Sequence, residues 1–132
     1  PWSPIAGGLL SGKYSRDAAP PSEARYADVQ NNPLMQRRMN ERIYDVIEGL
    51  QPLVEAKGCT PAQYALAWVA QQPGITSPII GPRTMEQLED NLGALEVSIS
   101  DEERARIDEV IPPGRMVSPF YEANFGPHAY RW

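Results

Sequence analysis

Ile75-Thr76-Ser77-Pro78-Ile79-Ile80-Gly81-Pro82-Arg83-Thr84-Met85-Glu86-Gln87 is the stretch on which the fold turns. Its first six residues are mostly apolar or β-branched, with Pro73-Gly74 before them and Gly81-Pro82 after. That pattern predicts a strand over 75–80 buried on both faces, as in a parallel sheet. Pro78 works against it, because proline cannot donate to a ladder. Thr84 and Gln87 then make a capping-box pattern. It opens a helix over 85–95 with Leu88, Leu92 and Leu95 on one face. On the other side, Thr60-Pro61-Ala62-Gln63 caps a helix that carries Leu66, Ala67, Trp68 and Val69 and runs to Gln72. Helix, doubly buried strand, helix points to an α/β fold. A lone strand leaves both edges unpaired, so the set of elements reads as incomplete.

Further out, Ile43, Val46, Ile47, Leu50, Leu53 and Val54 follow a helical period within 34–57. Pro52 predicts a kink or split near Leu50-Gln51, and Gly58 is a natural stop. Ser100 with Glu103 is a third capping box, opening a helix of about ten residues that ends before Pro112-Pro113-Gly114. Residues 1–32 read as loop, broken by Gly7-Gly8, Gly12 and Pro20-Pro21, with Leu9-Leu10 as a single buried turn. The stretch 115–132 holds Phe120, Tyr121, Phe125, Tyr130 and Trp132, five of the eleven aromatics. A disordered tail is poor in such residues, so this one is expected to pack or to line a pocket. Three regions result: 1–32, 33–114 and 115–132.

The 132 residues amount to one domain by length. Twelve Lys and Arg against 17 Asp and Glu leave a charge of −5, which argues against a nucleic-acid partner. No apolar run reaches the roughly 18–20 residues of a membrane span. Cys59 is the sole cysteine, which excludes an internal disulfide or a multi-cysteine metal site, and no metal is expected. A single thiol fits a reducing, cytoplasmic setting. The chain opens at Pro1 without a signal-peptide pattern, and the reading predicts a longer parent.

Two motifs carry a resemblance. Trp2-Ser3-Pro4-Ile5-Ala6-Gly7-Gly8-Leu9-Leu10-Ser11-Gly12-Lys13-Tyr14 resembles the segment at the end of the seventh barrel strand in aldo-keto reductases. Pro78-Ile79-Ile80-Gly81-Pro82-Arg83-Thr84, with Gln87-Leu88, Asp90 and Asn91, resembles the eighth strand and following helix of that family. Thr60 to Trp68 looks like its seventh helix. The closer likeness is to the branch of bacterial general aldo-keto reductases and potassium-channel β subunits.

The resemblance implies the C-terminal part of a (β/α)8 TIM barrel: end of strand 7, helix 7, strand 8, helix 8 and the C-terminal loop. A whole barrel takes about 250 residues. The family's Asp, Tyr, Lys and His tetrad would lie upstream of Pro1, so no catalytic residue is assigned here. His128, the one histidine, sits in the tail and is not the tetrad His. The family reduces aldehydes and ketones by hydride transfer from NADPH, and this stretch alone is expected to be inactive and poorly stable.

By the same resemblance, Trp2 stacks on the nicotinamide ring. Ser3, Pro4, Ile5, Ala6 and Gly7 run along the pyrophosphate, where small residues let backbone N–H groups come close. Lys13 and Arg25 close over the phosphates. Gly81, Arg83, Gln87, Asp90 and Asn91 meet the adenosine end. Arg83 precedes a helix N-terminus, which together favour a 2′-phosphate and hence NADP(H) over NADH. Phe120, Tyr121, Phe125 and Trp132 form the apolar wall of the substrate pocket. Read without the resemblance, Trp2 is a core residue at a strand end, and Gly7-Gly8 is an ordinary turn. Lys13, Arg25 and Gln87-Asp90-Asn91 are then solvated surface. Pro82 departs from relatives with a small residue there.

Expected partners are a small carbonyl substrate, the missing N-terminal half of the barrel and, in some members, further copies of the chain. Two other functions stay open: a cofactor-binding regulatory subunit of the channel β kind, and an interaction module without cofactor.

Overall fold

A computed structural model describes residues 1–31, 33–115 and 117. Five helices carry the architecture: α1 (Pro33–Arg38), α2 (Glu41–Lys57), α3 (Pro61–Ala70), α4 (Met85–Leu92) and α5 (Asp101–Val110). Short 3₁₀ turns occupy Ala6–Ser11, Val29–Asn31 and Gly93–Glu96. Among the described residues no helix is long and apolar enough to cross a membrane.

The helix starts follow their caps. Thr60 accepts the Gln63 N–H and the Gln63 side chain accepts the Thr60 N–H, a complete capping box with Pro61 in the first turn. Ser100 and Glu103 do the same for α5. Thr84 accepts the Gln87 N–H, but the Gln87 side chain reaches Arg83 N–H instead of Thr84, so that box is only half made.

The expected helix over 34–57 is two helices, and the break is not at Pro52. Asn40 is extended and its side chain accepts the Ile43 N–H, starting α2 afresh. α2 then runs through Pro52 to Lys57 and stops at left-handed Gly58. Pro52 lies exposed within α2.

The predicted strand over 75–80 is not a strand here. The segment makes a single parallel bridge, Ile79 to Trp2, with Ile79 N–H donating to Pro1 O at 2.7 Å. Ile79 is 66% exposed rather than buried on both faces. One short neighbour cannot extend a ladder past Pro78, and nothing described covers the faces. The helix expected over 85–95 ends at Leu92 before a 3₁₀ turn, and Leu92 and Leu95 are largely exposed.

The core has two parts. One joins Leu53 and Val54 of α2, Tyr64 and Ala67 of α3, Val97, Ile99, and Ile107 of α5. The other joins Leu9, Tyr14, Ala24, Tyr26 and Ile43, tying the N-terminal segment to α2. The buried turn expected at Leu9 is present. An apolar groove of about 380 Å³ runs between the Ala6–Ser11 turn, α2 and α3. Residues 118–132, with Phe120, Tyr121, Phe125, His128 and Trp132, lie outside the described residues.

Candidate functional site

A cleft of about 390 Å³ opens where three separated stretches meet: 2–13, 24–25 and 79–91. The Trp2–Ile79 bridge sets two of them side by side. Trp2 stands on the rim with 54% of its surface exposed. From there the chain makes an unusual turn. Ser3 (φ 55°) and Ala6 (φ 51°) are left-handed without being glycine, and Gly7 (φ 68°) and Gly8 (φ 106°) follow. Each non-glycine in that region costs about 1 kcal/mol, and such strain concentrates at functional loops. A Cβ on Gly7 would come within 3.1 Å of the buried Tyr26 hydroxyl and 3.5 Å of the Arg25 guanidinium. A Cβ on Gly8 would meet nothing within 4 Å, so the backbone there is open to a ligand.

Lys13 and Arg25 hang from an arm between Gly12 and Tyr26. Its root is fixed by Tyr14 and Tyr26, both buried, packed edge to face at 5.6 Å. The Tyr26 N–H donates to the Tyr14 hydroxyl at 3.4 Å. Burial pushes the Tyr14 hydroxyl above its ordinary pKa; that hydrogen bond and the fields of Arg25 and Arg83 pull the other way. Glu23 lies low through its own backbone N–H, the Ser22 hydroxyl and the fields of Lys13 and Arg83. The positive potentials of the arm and of the loop before α4 therefore overlap on the same groups.

The α4 side is braced from α3. Thr60 Oγ1 donates to the Asp90 carboxylate at 3.1 and 3.2 Å. Gln63 Nε2 donates to Asp90 O at 2.9 Å and to Asp90 Oδ1 at 3.1 Å. Gln87 Oε1 accepts the Arg83 N–H at 2.8 Å. Asp90 and Gln87 thus fix the positions of α4 and Arg83 through bonds within the protein. Gly93 lets this joint close, since a Cβ there would run into the Gln63 side-chain amide.

The sequence model of the aldo/keto reductase family matches residues 1–112. The chain belongs to that family. An uncharacterized oxidoreductase, YrpG, of Bacillus subtilis (strain 168) is 36% identical over 132 residues, covering 99% of this chain and 35% of the relative. A probable voltage-gated potassium channel subunit beta of Arabidopsis thaliana is 36% identical over 96 residues, 73% of this chain and 29% of that protein. A probable aldo-keto reductase 1 of Glycine max is 36% identical over 124 residues, 92% of this chain and 34% of the relative. The chain spans about a third of the length of these curated relatives. The aldo/keto reductase fold is a (β/α)8 barrel. The described residues are mostly helical, which is consistent with a part of one.

Twelve of the thirteen residues that the aldo/keto reductase resemblance singles out for the cofactor line this one cleft: Trp2, Ser3, Pro4, Ile5, Gly7, Lys13, Arg25, Gly81, Arg83, Gln87, Asp90 and Asn91. Ala6 does not. Its left-handed turn directs it to the apolar groove and the Leu9 cluster. The cleft also takes in Gly8, Ser11, Tyr14 and Ala24, which lie in or near the first quoted motif, and Ala62 and Leu66 of α3, which lie in the stretch resembling the seventh helix but were assigned no part in the site. The four residues expected to line a substrate pocket lie outside the described residues. Among the described residues no group of three His, Cys, Asp or Glu is placed to hold a metal. Burial raises the Cys59 thiol above its ordinary pKa, against the pull of its own backbone N–H and of Lys57.

Proposed function

We propose that this chain supplies the NADP(H)-binding side of an oxidoreductase that interconverts aldehydes or ketones with alcohols. The observation that carries the reading is the convergence of Lys13, Arg25 and Arg83, from three separated stretches, on a cleft floored by small, left-handed residues. Three cations and an open backbone suit a multiply phosphorylated dinucleotide better than a neutral ligand.

When bound, the dinucleotide would supply the hydride. The chain's part is placement. Trp2, on the rim, offers a flat face for a planar ring. The Ser3–Gly8 turn brings backbone close to phosphate oxygens, and Lys13 and Arg25 neutralise them from the arm. Arg83, held by Gln87 beside the start of α4, gives a charge-assisted bond to a 2′-phosphate. In this reading residues 1–132 bind and orient the dinucleotide and carry no proton transfer. The parallel contact between Trp2 and Ile79 supports reading them as the ends of barrel strands seven and eight, with α3 and α4 as the helices beside them.

The similarity to the Arabidopsis subunit supports a second reading, a cofactor-binding regulatory subunit. One experiment on the natural polypeptide that contains this segment separates the two. NADPH and NADH are titrated by cofactor fluorescence, and turnover is followed with a panel of aldehydes and ketones. Tight NADPH binding with turnover supports the reductase. Tight binding without turnover supports the subunit. Absence of saturable binding defeats both.

A further inference from the structure

Arg16 sits at the tip of the arm, beyond the motif residues. Ser15 and Ala18 pair across a tight antiparallel bridge, so Arg16 projects from the turn between them. Its guanidinium meets three carboxylates on one face of α2. Nη1 bonds Glu41, Nη2 bonds Asp45 Oδ1 at 2.8 Å and Nε bonds Glu48 Oε1 at 3.1 Å. The same guanidinium lies 5.5 Å from the centroid of the Tyr44 ring, also on α2.

Glu41, Asp45 and Glu48 are spaced four and three apart, which stacks like charges on one helix face and destabilises it on its own. Arg16, set against all three, offsets that repulsion. The arm therefore has two attachments of different kinds. The Tyr14–Tyr26 root is buried and held by ring packing and a hydrogen bond, and salt acts on it little. The Arg16 tip is exposed, ionic and sensitive to it.

We infer that Arg16 is a positioning residue for the cleft: by pinning the arm to the acidic face of α2, it holds Lys13 and Arg25 over bound phosphates and sets how fast a dinucleotide leaves. This rests on the cofactor reading above. Arg16 touches no ligand in this account. It limits the excursions of the segment whose two cations do. Freed at the tip, the arm would pivot on its tyrosine root, and the cleft would open more often.

The test is stopped-flow displacement of NADPH from the natural polypeptide, with thermal midpoints measured alongside. Arg16→Ala is expected to release NADPH about three- to tenfold faster, with the midpoint almost unchanged, as exposed ion pairs add little stability. The combined Glu41→Gln, Asp45→Asn, Glu48→Gln variant should reproduce that acceleration, and adding Arg16→Ala to it should change nothing further. Arg16→Lys, which keeps charge but loses the fork, should fall between. In 1 M salt, where screening acts within about 3 Å, wild type and Arg16→Ala should converge. Unchanged release from both Arg16→Ala and the triple variant, with wild type still binding NADPH, would overturn the inference alone. Additive effects of Arg16→Ala and the triple variant would also overturn it. A wild type that does not bind NADPH would overturn the cofactor reading and the inference with it.

Discussion

α5 is fastened at few points, and Ile107 is the chief one. It is the one fully buried side chain of that helix among the described residues, set against Leu53, Val54, Tyr64 and Ala67. Ile107→Ala removes three carbons, worth about 2.4 kcal/mol at roughly 0.8 kcal/mol each. The cavity left behind adds to this, and the better helix propensity of alanine returns about 0.4 kcal/mol. The expected cost is about 2–4 kcal/mol. Native-state hydrogen exchange on the natural polypeptide reads it locally, as amides of Asp101–Val110 exchanging about 30- to 900-fold faster. The exposed neighbour Arg106→Ala should stay within about 0.5 kcal/mol of wild type. A loss below about 1 kcal/mol at Ile107 would refute the packing argument.

Glu103 is coupled to pH. Burial pushes its carboxyl up, but Lys57, whose ammonium lies at 2.8 Å, and the Ser100 backbone and side chain together leave it below the ordinary carboxylate range. Its contribution is therefore whole above the unfolded carboxylate pKa and is lost as pH falls through the lower folded value. Glu103→Gln should cost about 1 kcal/mol at neutral pH, allowing for solvent screening, and flatten the acid limb of the stability profile in urea titrations. Arg83→Ala should weaken NADPH about 10- to 150-fold while leaving NADH within about threefold, as measured by calorimetric titration, because only the 2′-phosphate loses its charge-assisted bond. Cys59 should alkylate slowly with iodoacetamide at pH 7, its rate rising only above the range of a free thiol, because burial holds the proton on.

Local chemistry was legible where one residue type does one job. Thr60 with Gln63 and Ser100 with Glu103 announce their boxes, and both form. The turn at Leu9 was readable from glycines around two leucines. Asn40 starts a new helix inside a stretch expected as one, while Pro52 is tolerated on an exposed helix face. The composition of 75–80 suits a strand, but a strand exists only with partners, and the N-terminal segment supplies a single bridge, Trp2 to Ile79. The cleft residues were reached through the resemblance. Spacing alone left Gln87, Asp90 and Asn91 as solvated helix, and it could not show that Asp90 is gripped by Thr60 and Gln63 from a helix some thirty residues away. Arg16 was invisible for the same reason: its three carboxylates lie 25, 29 and 32 residues along the chain.

The central claim is that three separated stretches form one dinucleotide cleft. Hydrogen exchange of the natural polypeptide with and without saturating NADPH tests it most directly. The account predicts slowed exchange in 2–14, 24–26 and 79–91 together, with α5 unchanged. Slowed exchange in none of the three, or in α5 and not in them, would contradict it.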